Sequence, residues 1–403
     1  MRHKNSFRAV FPNFMKSILI PNGWRRLGRA DVLLVGHDYH YSYIYNGLLY
    51  SPLIDSVKEG VERKGEKCSI ILKSFSLLKP GETFSEVASF NKLFSVILFF
   101  RYFGRLSHPL KRLSFRMEVN FWKKVIETTG AKSVVAIQPS VSLCKASREL
   151  NIEVADLQHG VITENHPYYG ERFRKGDPAD YFPTRFFVWS DSAMEVLQRW
   201  EKKGAVVKRI FHPWGERFLT PSLDDQVVLD AIQKLPKFNN ERPCVLVSLQ
   251  WQLEGVEDVQ IKGDIMLNSL LSAILSTHHI YNWFIRLHPV QLHQDCKEST
   301  EKFLLDNFGN LTTVEWKKAS SAALPALLRV SDVHITYRST VVSEASRFGV
   351  KSAILDQEIK QGGVRDFYYT HERDAGMACV VENTESGIVS WLGKELSPKY
   401  ALS

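Results

Sequence analysis

The sequence predicts an α/β protein of two tandem domains, each built on a mostly parallel sheet covered by helices. Three observations carry this. From Asp31 onward, short β-rich runs alternate with segments of helical period, which requires crossover connections and sheets buried on both faces. The alternation lapses around 221–243, where Pro221-Ser222 and the stretch PKFNNERP (236–243) gather turn residues, and then it restarts. A chain of 403 residues, 44% hydrophobic and 24% charged, is long and apolar enough for two cores.

The elements follow in order. Residues 31–36 (DVLLVG) read as a buried strand, and 52–64 follow with Leu53, Ile54, Val57 and Val61 at helical spacing. Residues 67–72 give the next strand, then helix 121–129, strand 133–137, helix 141–150 and strand 153–157. Strands 185–189 and 205–211 flank helix 193–203. The second half restarts with strand 244–249 (CVLVSL), helix 265–276 and strand 281–287. Strand 312–316, helix 322–330, strand 332–336, helix 341–348, strand 351–355 and a final helix 385–396 complete it. The expected divisions are a basic segment 1–30, a first domain 31–221, a linker 222–243 and a second domain 244–403 whose last helix packs back. Two such domains are expected to face a cleft at the carboxyl ends of their strands, where this architecture binds ligands.

The net charge of +8 is carried by two segments. Residues 1–30 hold seven Lys and Arg and no acid; residues 87–117 hold six and no acid. The rest of the chain carries 39 Lys and Arg against 44 Asp and Glu, which argues against a nucleic-acid partner. Both segments are also apolar: Phe7, Phe11, Phe14, Ile18 and Leu19 in the first, 93–100 (LFSVILFF) and Tyr102-Phe103 in the second. The apolar run is shorter than the roughly 20 residues a spanning helix needs. Two readings stay open, an anionic membrane surface or a buried helix flanked by solvated charge. No signal-peptide pattern opens the chain, so the expected location is cytoplasmic and peripheral at the inner membrane. The five cysteines lack the spacing of a zinc or redox site.

Chemistry concentrates at strand ends. The stretch from Asp332 to Ala345 turns from strand to helix through Arg338, Ser339 and Thr340, which reads as a phosphate site of helix-terminal N–H groups, hydroxyls and a cation. The competing reading makes Thr340 an ordinary N-cap; Glu344 sits one place past the capping-box position, free to accept from hydroxyls. Arg286-Leu287-His288-Pro289 ends a strand and offers His288 to a phosphate, and Gln250 ends another. In the first half, Gln158-His159-Gly160 follows a strand, with Glu164 and His166 beyond. His159 is the first candidate for a general base, with Asp38, at the end of the first strand, and Glu164 as rivals. Each histidine could equally be a structural loop residue. His37, Asp38 and His40 make an incomplete metal set, and no metal is expected. Gly36-His37-Asp38-Tyr39 cannot make a GxGxxG turn and no Walker pattern occurs, so no dinucleotide cofactor is expected.

Gln250, His288-Pro289, Ser339-Thr340 with Glu344 and Gly349, and Gln158-His159-Gly160 together resemble bacterial capsular-polysaccharide biosynthesis glycosyltransferases. The resemblance runs from about Asp31 to Leu396. It implies the GT-B fold of two facing Rossmann-like domains and transfer of a sugar such as Kdo or sialic acid; with no DxD-type metal motif in the sequence, the transfer is expected to be metal-independent. The donor would be a nucleotide sugar, CMP-linked by preference and a co-substrate rather than a cofactor. The acceptor would be a surface or lipid-linked glycan. By the resemblance, His288, Ser339 and Thr340 would hold the donor phosphate and Glu344 the nucleoside, while His159 or a neighbouring acid, Asp38 or Glu164, would activate the acceptor. Arg286, Arg338 and Gln250 join the donor-side candidates from their own places at the strand ends. Tyr337 and Arg338 depart from the small residues common there. A teichoic-acid-type polyol-phosphate transferase, with the same layout and a similar His-Pro pair, is the alternative; a non-enzymatic ligand- or nucleic-acid-binding protein is the third.

Overall fold

The computed structural model describes residues 14–73, 75–104, 107–160, 162, 166, 168–170, 178–238, 241–250, 261–262, 265–288, 291 and 294–400. The chain divides into two compact units, Met1–Trp214 and Gly215–Ser403. Each is an α/β unit on a parallel sheet.

The first unit holds strands β1 (Val32–Gly36), β2 (Cys68–Leu72), β3 (Val87–Ala88), β4 (Ser133–Ala136), β5 (Glu153–Leu157), β6 (Arg185–Val188) and β7 (Val206–Arg209). They pair in parallel in the order β3-β2-β1-β4-β5-β6-β7. Continuous apolar runs suit such strands, since alternate side chains feed opposite cores. Leu33, Val35, Val134 and Ala136 enter one cluster with Trp122 and Val125, while Val32, Leu34, Val135 and Ile137 enter the other with Ile54.

The second unit repeats the plan with β8 (Cys244–Ser248), β9 (Asn282–Arg286), β10 (Val314–Glu315), β11 (Val333–Thr336), β12 (Lys351–Ile354) and β13 (Ala378–Val380). Their order is β10-β9-β8-β11-β12-β13, again parallel. Both sheets thus reverse direction of growth between their first and fourth strands, the Rossmann order with its switch point. One face is apolar, from Val245, Val247, Ile285, Val333 and Ile335. The other carries a polar ladder. The fully buried His334 reaches Ser352 Oγ through Nδ1 at 2.9 Å and Ser248 Oγ through Nε2 at 3.1 Å, while Thr336 Oγ1 donates to Ser248 O at 2.9 Å.

Two helices of the first unit differ from expectation. Helix α1 (Asn91–Phe103) occupies the apolar basic run, and α2 (His108–Thr129) starts thirteen residues before the expected 121. Its first turns expose Lys111, Arg112, Leu113 and Arg116, so no clean apolar period is visible before the buried stretch Val119–Ile126. The edge strands β3 and β13 are two and three residues long, too short to leave a pattern.

Candidate functional site

At the switch point of the second unit, β11 runs into helix α3 (Val341–Arg347) through Tyr337, Arg338, Ser339 and Thr340. This loop is braced on every side. Gln250 Oε1, at the end of β8, accepts the Arg338 N–H at 3.1 Å. Tyr369 OH donates to the carbonyls of Arg338 at 2.9 Å and Ser339 at 3.0 Å. The fully buried Asp356 pairs with Arg338 at 3.3 Å and with Arg365 at 2.9 Å. The guanidinium expected to meet a phosphate is therefore already engaged with a carboxylate, and Gln250 acts on backbone. Ser339 Oγ accepts the Val341 N–H at 3.3 Å and so caps the helix, whereas Thr340 makes no side-chain cap. Thr340 is exposed, and its N–H and hydroxyl find no hydrogen-bond partner among the described residues.

Glu344 and Arg286 are electrostatic neighbours beneath this loop. Burial pushes the Glu344 carboxyl up to about 7, with Arg286 opposing the shift. Burial pulls the Arg286 guanidinium down to about 10. Arg286 Nη1 donates to Ala319 O at 3.0 Å and Ala322 O at 2.6 Å, holding the turn that follows residues 317–321. Glu344 has no ion pair or hydrogen bond with any described residue. A half-buried carboxyl without a partner is costly unless something else meets it. His288 stands at the end of the neighbouring strand β9, its N–H donating to Gln291 Oε1 at 2.8 Å. Burial lowers its pKa, so at neutral pH it is an uncharged donor rather than a cation.

In the first unit the ends of β1 and β5 bring three histidines together. The His40 ring lies 6.0 Å from His159 and 6.1 Å from His37, centroid to centroid. His40 Nδ1 accepts the His37 N–H at 3.3 Å, which places the ring proton on Nε2. That buried Nε2–H has no partner among the described residues. Burial takes His37 down to about 4, aided by the charge of Lys73. Burial, then the neighbouring His159, takes His40 to about 3. Burial and Lys73 take His159 to about 4. The trio is thus neutral at pH 7. Neutral His159 keeps one unprotonated ring nitrogen, of basicity well below that of free imidazole.

Asp38 is positioned differently: its Oδ2 accepts the Leu77 N–H at 2.6 Å, tying the β1 end to the loop after β2. Gln158 is a brace. Its Oε1 accepts from Trp189 N at 2.8 Å, and its Nε2 donates to Gly160 O and Ser190 Oγ, both at 2.9 Å. Gly160 has no positive φ, and a Cβ there would meet nothing among the described residues, so the backbone does not demand the glycine. Glu164 lies outside the described residues, as do Pro289 and Trp251.

Sequence reading missed a buried group beneath the histidines. Asp156 Oδ1 accepts the Gln138 N–H at 2.9 Å, and Tyr169 OH donates to Oδ2. Burial raises this carboxyl to about 6. Lys73 Nζ donates to Ile137 O and Gln138 O, both at 2.6 Å, and burial lowers it to about 8. Gln138, at the switch point beside β4, holds φ at +50°, a strained value for a residue other than glycine. Among the described residues, no group of three or more His, Cys, Asp or Glu could hold a metal ion.

No protein-family model matches the chain, and no curated protein matches it. Solved structures do. A UDP-GlcNAc 2-epimerase from Neisseria meningitidis, bound to UDP-GlcNAc, superposes with a TM-score of 0.55 at 14% identity over 92% of each chain. The UDP-GlcNAc 2-epimerase from Methanocaldococcus jannaschii gives 0.54 at 12% identity over 91% of this chain and 92% of its own. The wall teichoic acid polymerase TagF gives 0.55 at 12% identity over 98% of this chain and 88% of its own. The shared property is the fold, two Rossmann-like α/β units of the GT-B type.

Proposed function

We propose that the protein is a nucleotide-sugar-dependent glycosyltransferase that passes a sugar to a hydroxyl of a surface or lipid-linked glycan. The observation that carries this is the division of labour at the switch point of the second unit. The loop 337–340 is held by Gln250, Tyr369 and Asp356, while Thr340 and Glu344 make no side-chain hydrogen bond with any described residue. Thr340 and the neutral His288 are assigned to donor phosphate, and Glu344 to hydroxyls of the nucleoside. Arg338 is assigned to positioning the loop, because its charge is met by Asp356. His159 is assigned to deprotonating the acceptor; Asp38 ranks behind it because its carboxylate serves the loop at 77, and Glu164 remains a rival. Kdo or sialic acid from a CMP-linked donor is the favoured chemistry on the resemblance in motifs.

Thermal-shift and calorimetric titration with CMP, CDP, UDP, GDP and dTDP tests the donor site, since a ligand bound only by the folded state raises its stability. One nucleotide should stabilise the protein, and His288→Ala should weaken it about tenfold, the value of one hydrogen bond of roughly 1.4 kcal/mol. Binding unaffected by His288→Ala would remove the assignment. A polyol-phosphate transfer is the second reading, favoured by the coverage of 98% of this chain against TagF. The mass of the product separates them, because that reaction adds a phosphate-bearing unit.

A further inference from the structure

The described parts of the two basic, apolar segments, residues 14–30 with 87–104 and 107–117, pack against each other in the first unit. Gly23 N–H donates to Ser89 O at 2.8 Å, Arg26 Nη1 donates to Val87 O at 2.9 Å, and Trp24 stacks edge-on against Phe90 at 4.7 Å. A Cβ on Gly23 would lie 2.6 Å from Ala88 Cβ, so only glycine permits this approach. Asn91, fully buried at the start of α1, donates to Ser17 O at 2.8 Å and to Ser76 O at 2.7 Å. Residues 14–26 are thereby pinned along the start of α1.

Helix α1 is largely apolar, yet only one side of it is covered. Phe94 and Ile97 pack on the core with Phe90. Val96, Phe99 and Phe103, at i, i+3 and i+7, form an exposed stripe beside Leu98 and Tyr102; Phe99 is 58% and Tyr102 61% exposed. Met15 and Leu19 are exposed on the pinned segment, and Leu113 on α2. Lys16, Lys92, Lys111, Arg112 and Arg116 are all exposed on the same segments. Arg101 is paired with Glu118 and is not among the free cations. No acid occurs between 87 and 117 or before 30.

We propose that this surface docks on an anionic membrane leaflet, with α1 lying in the interface. The helix has 13 residues, about 20 Å, against a hydrocarbon core of about 30 Å, so it can lie on a bilayer but not cross it. Its apolar side chains suit the headgroup–acyl boundary, and each nearby cation contributes on the order of 1 kcal/mol against anionic lipid. A second copy of the chain is a poor occupant, because apposed copies would set like charges against each other. A nucleic-acid duplex would meet the cations through its phosphates and leave the aromatic stripe uncovered. This inference stands independently of the transferase reading, and its readout is binding rather than activity.

The test is flotation of the full-length protein with phosphatidylcholine vesicles containing about 30 mol% phosphatidylglycerol at about 0.1 M salt. Wild-type protein should float, detach at about 1 M salt, and bind pure phosphatidylcholine at least about tenfold less. Two triple variants, Phe99→Ser with Tyr102→Ser and Phe103→Ser, and Lys111→Glu with Arg112→Glu and Arg116→Glu, replace exposed residues. Both should melt like wild type and lose binding by about tenfold or more. Wild-type protein that stays soluble with anionic vesicles overturns the proposal, as does either variant binding like wild type. A dimer that the aromatic triple converts to monomer, without vesicle binding by wild type, assigns the face to a second copy and overturns it equally.

Discussion

The two units share a strand order and differ in what they place at it. In the first, the sheet is apolar through Leu33, Leu34, Val134 and Val135, and its switch point collects histidines held uncharged by burial and by Lys73. In the second, the sheet carries the Ser248–His334–Ser352 ladder, and at its switch point Thr340 on the braced loop and Glu344 on the helix after it make no side-chain hydrogen bond with any described residue. One plan thus supports opposite chemistries. The first unit presents uncharged imidazoles; the second presents donors and a carboxyl that burial raises to about 7. The contrast argues that the fold supplies position and the strand ends supply reactivity.

The sharpest way to break this contrast is to remove one group from each switch point. His159→Ala should lower turnover by about 10²–10⁴, the usual worth of a general base, with nucleotide affinity changed by less than about twofold. His288→Ala should do the reverse. If both variants alter affinity alone, the first unit holds no base.

A second comparison concerns stability. His334→Ala should cost about 3 kcal/mol in chemical denaturation, from a cavity and two buried serine hydroxyls losing their partner. Val135→Ala, an apolar truncation in the first sheet, should cost less, about 1–2 kcal/mol. Equal costs would mean the ladder adds nothing beyond volume.

Glu344 gives a smaller effect with a definite sign. Its folded pKa of about 7 lies above the ordinary value of 4.5. Between those values the folded state binds more protons than the unfolded, so this group's destabilising contribution grows as pH rises from about 4.5 to 7 and is complete above. Glu344→Gln should therefore gain about 1–2 kcal/mol on wild type between pH 5 and pH 8, read by urea denaturation at each pH.

The smallest expected signal is a constancy. The imidazole resonances of His37, His40 and His159 should not titrate between pH 7.5 and about 5.5, because their folded pKa values lie near 3–4. For these groups the unfolded chain takes up protons first, so they withdraw stability as pH falls from about 6.5 toward 4. A midpoint near 6.5 for His159 would show it solvated and ordinary.

Long buried strands were legible because continuous apolar runs such as VLLVG and CVLVSL have one physical explanation, coverage on both faces. The early turns of α2 were not, since half their side chains meet solvent. At the sites, residue type announced chemistry but not partners. Arg338 reads as a phosphate ligand, and spacing gives no sign that Asp356, eighteen residues on, also pairs with it. Asp38 reads as a base, and spacing gives no sign that Leu77, thirty-nine residues on, donates to it. Lys73 and Asp156 gave no local signal, because their meaning lies in burial side by side beneath the histidines. Such long-range pairings leave no trace in spacing.

The clamp of Asp356 and Tyr369 on the 337–340 loop has a thermodynamic consequence. A phosphate-binding loop that orders only on meeting its ligand subtracts that ordering entropy from affinity. Here the backbone carbonyls of Arg338 and Ser339 and the Arg338 guanidinium are anchored before any ligand arrives. Association at this loop should therefore be governed by desolvation of Thr340 and Glu344, with little loss of chain freedom. Weakening the anchor by Tyr369→Phe, which removes the one O–H shared between the Arg338 and Ser339 carbonyls and leaves the ring, should turn the binding entropy less favourable.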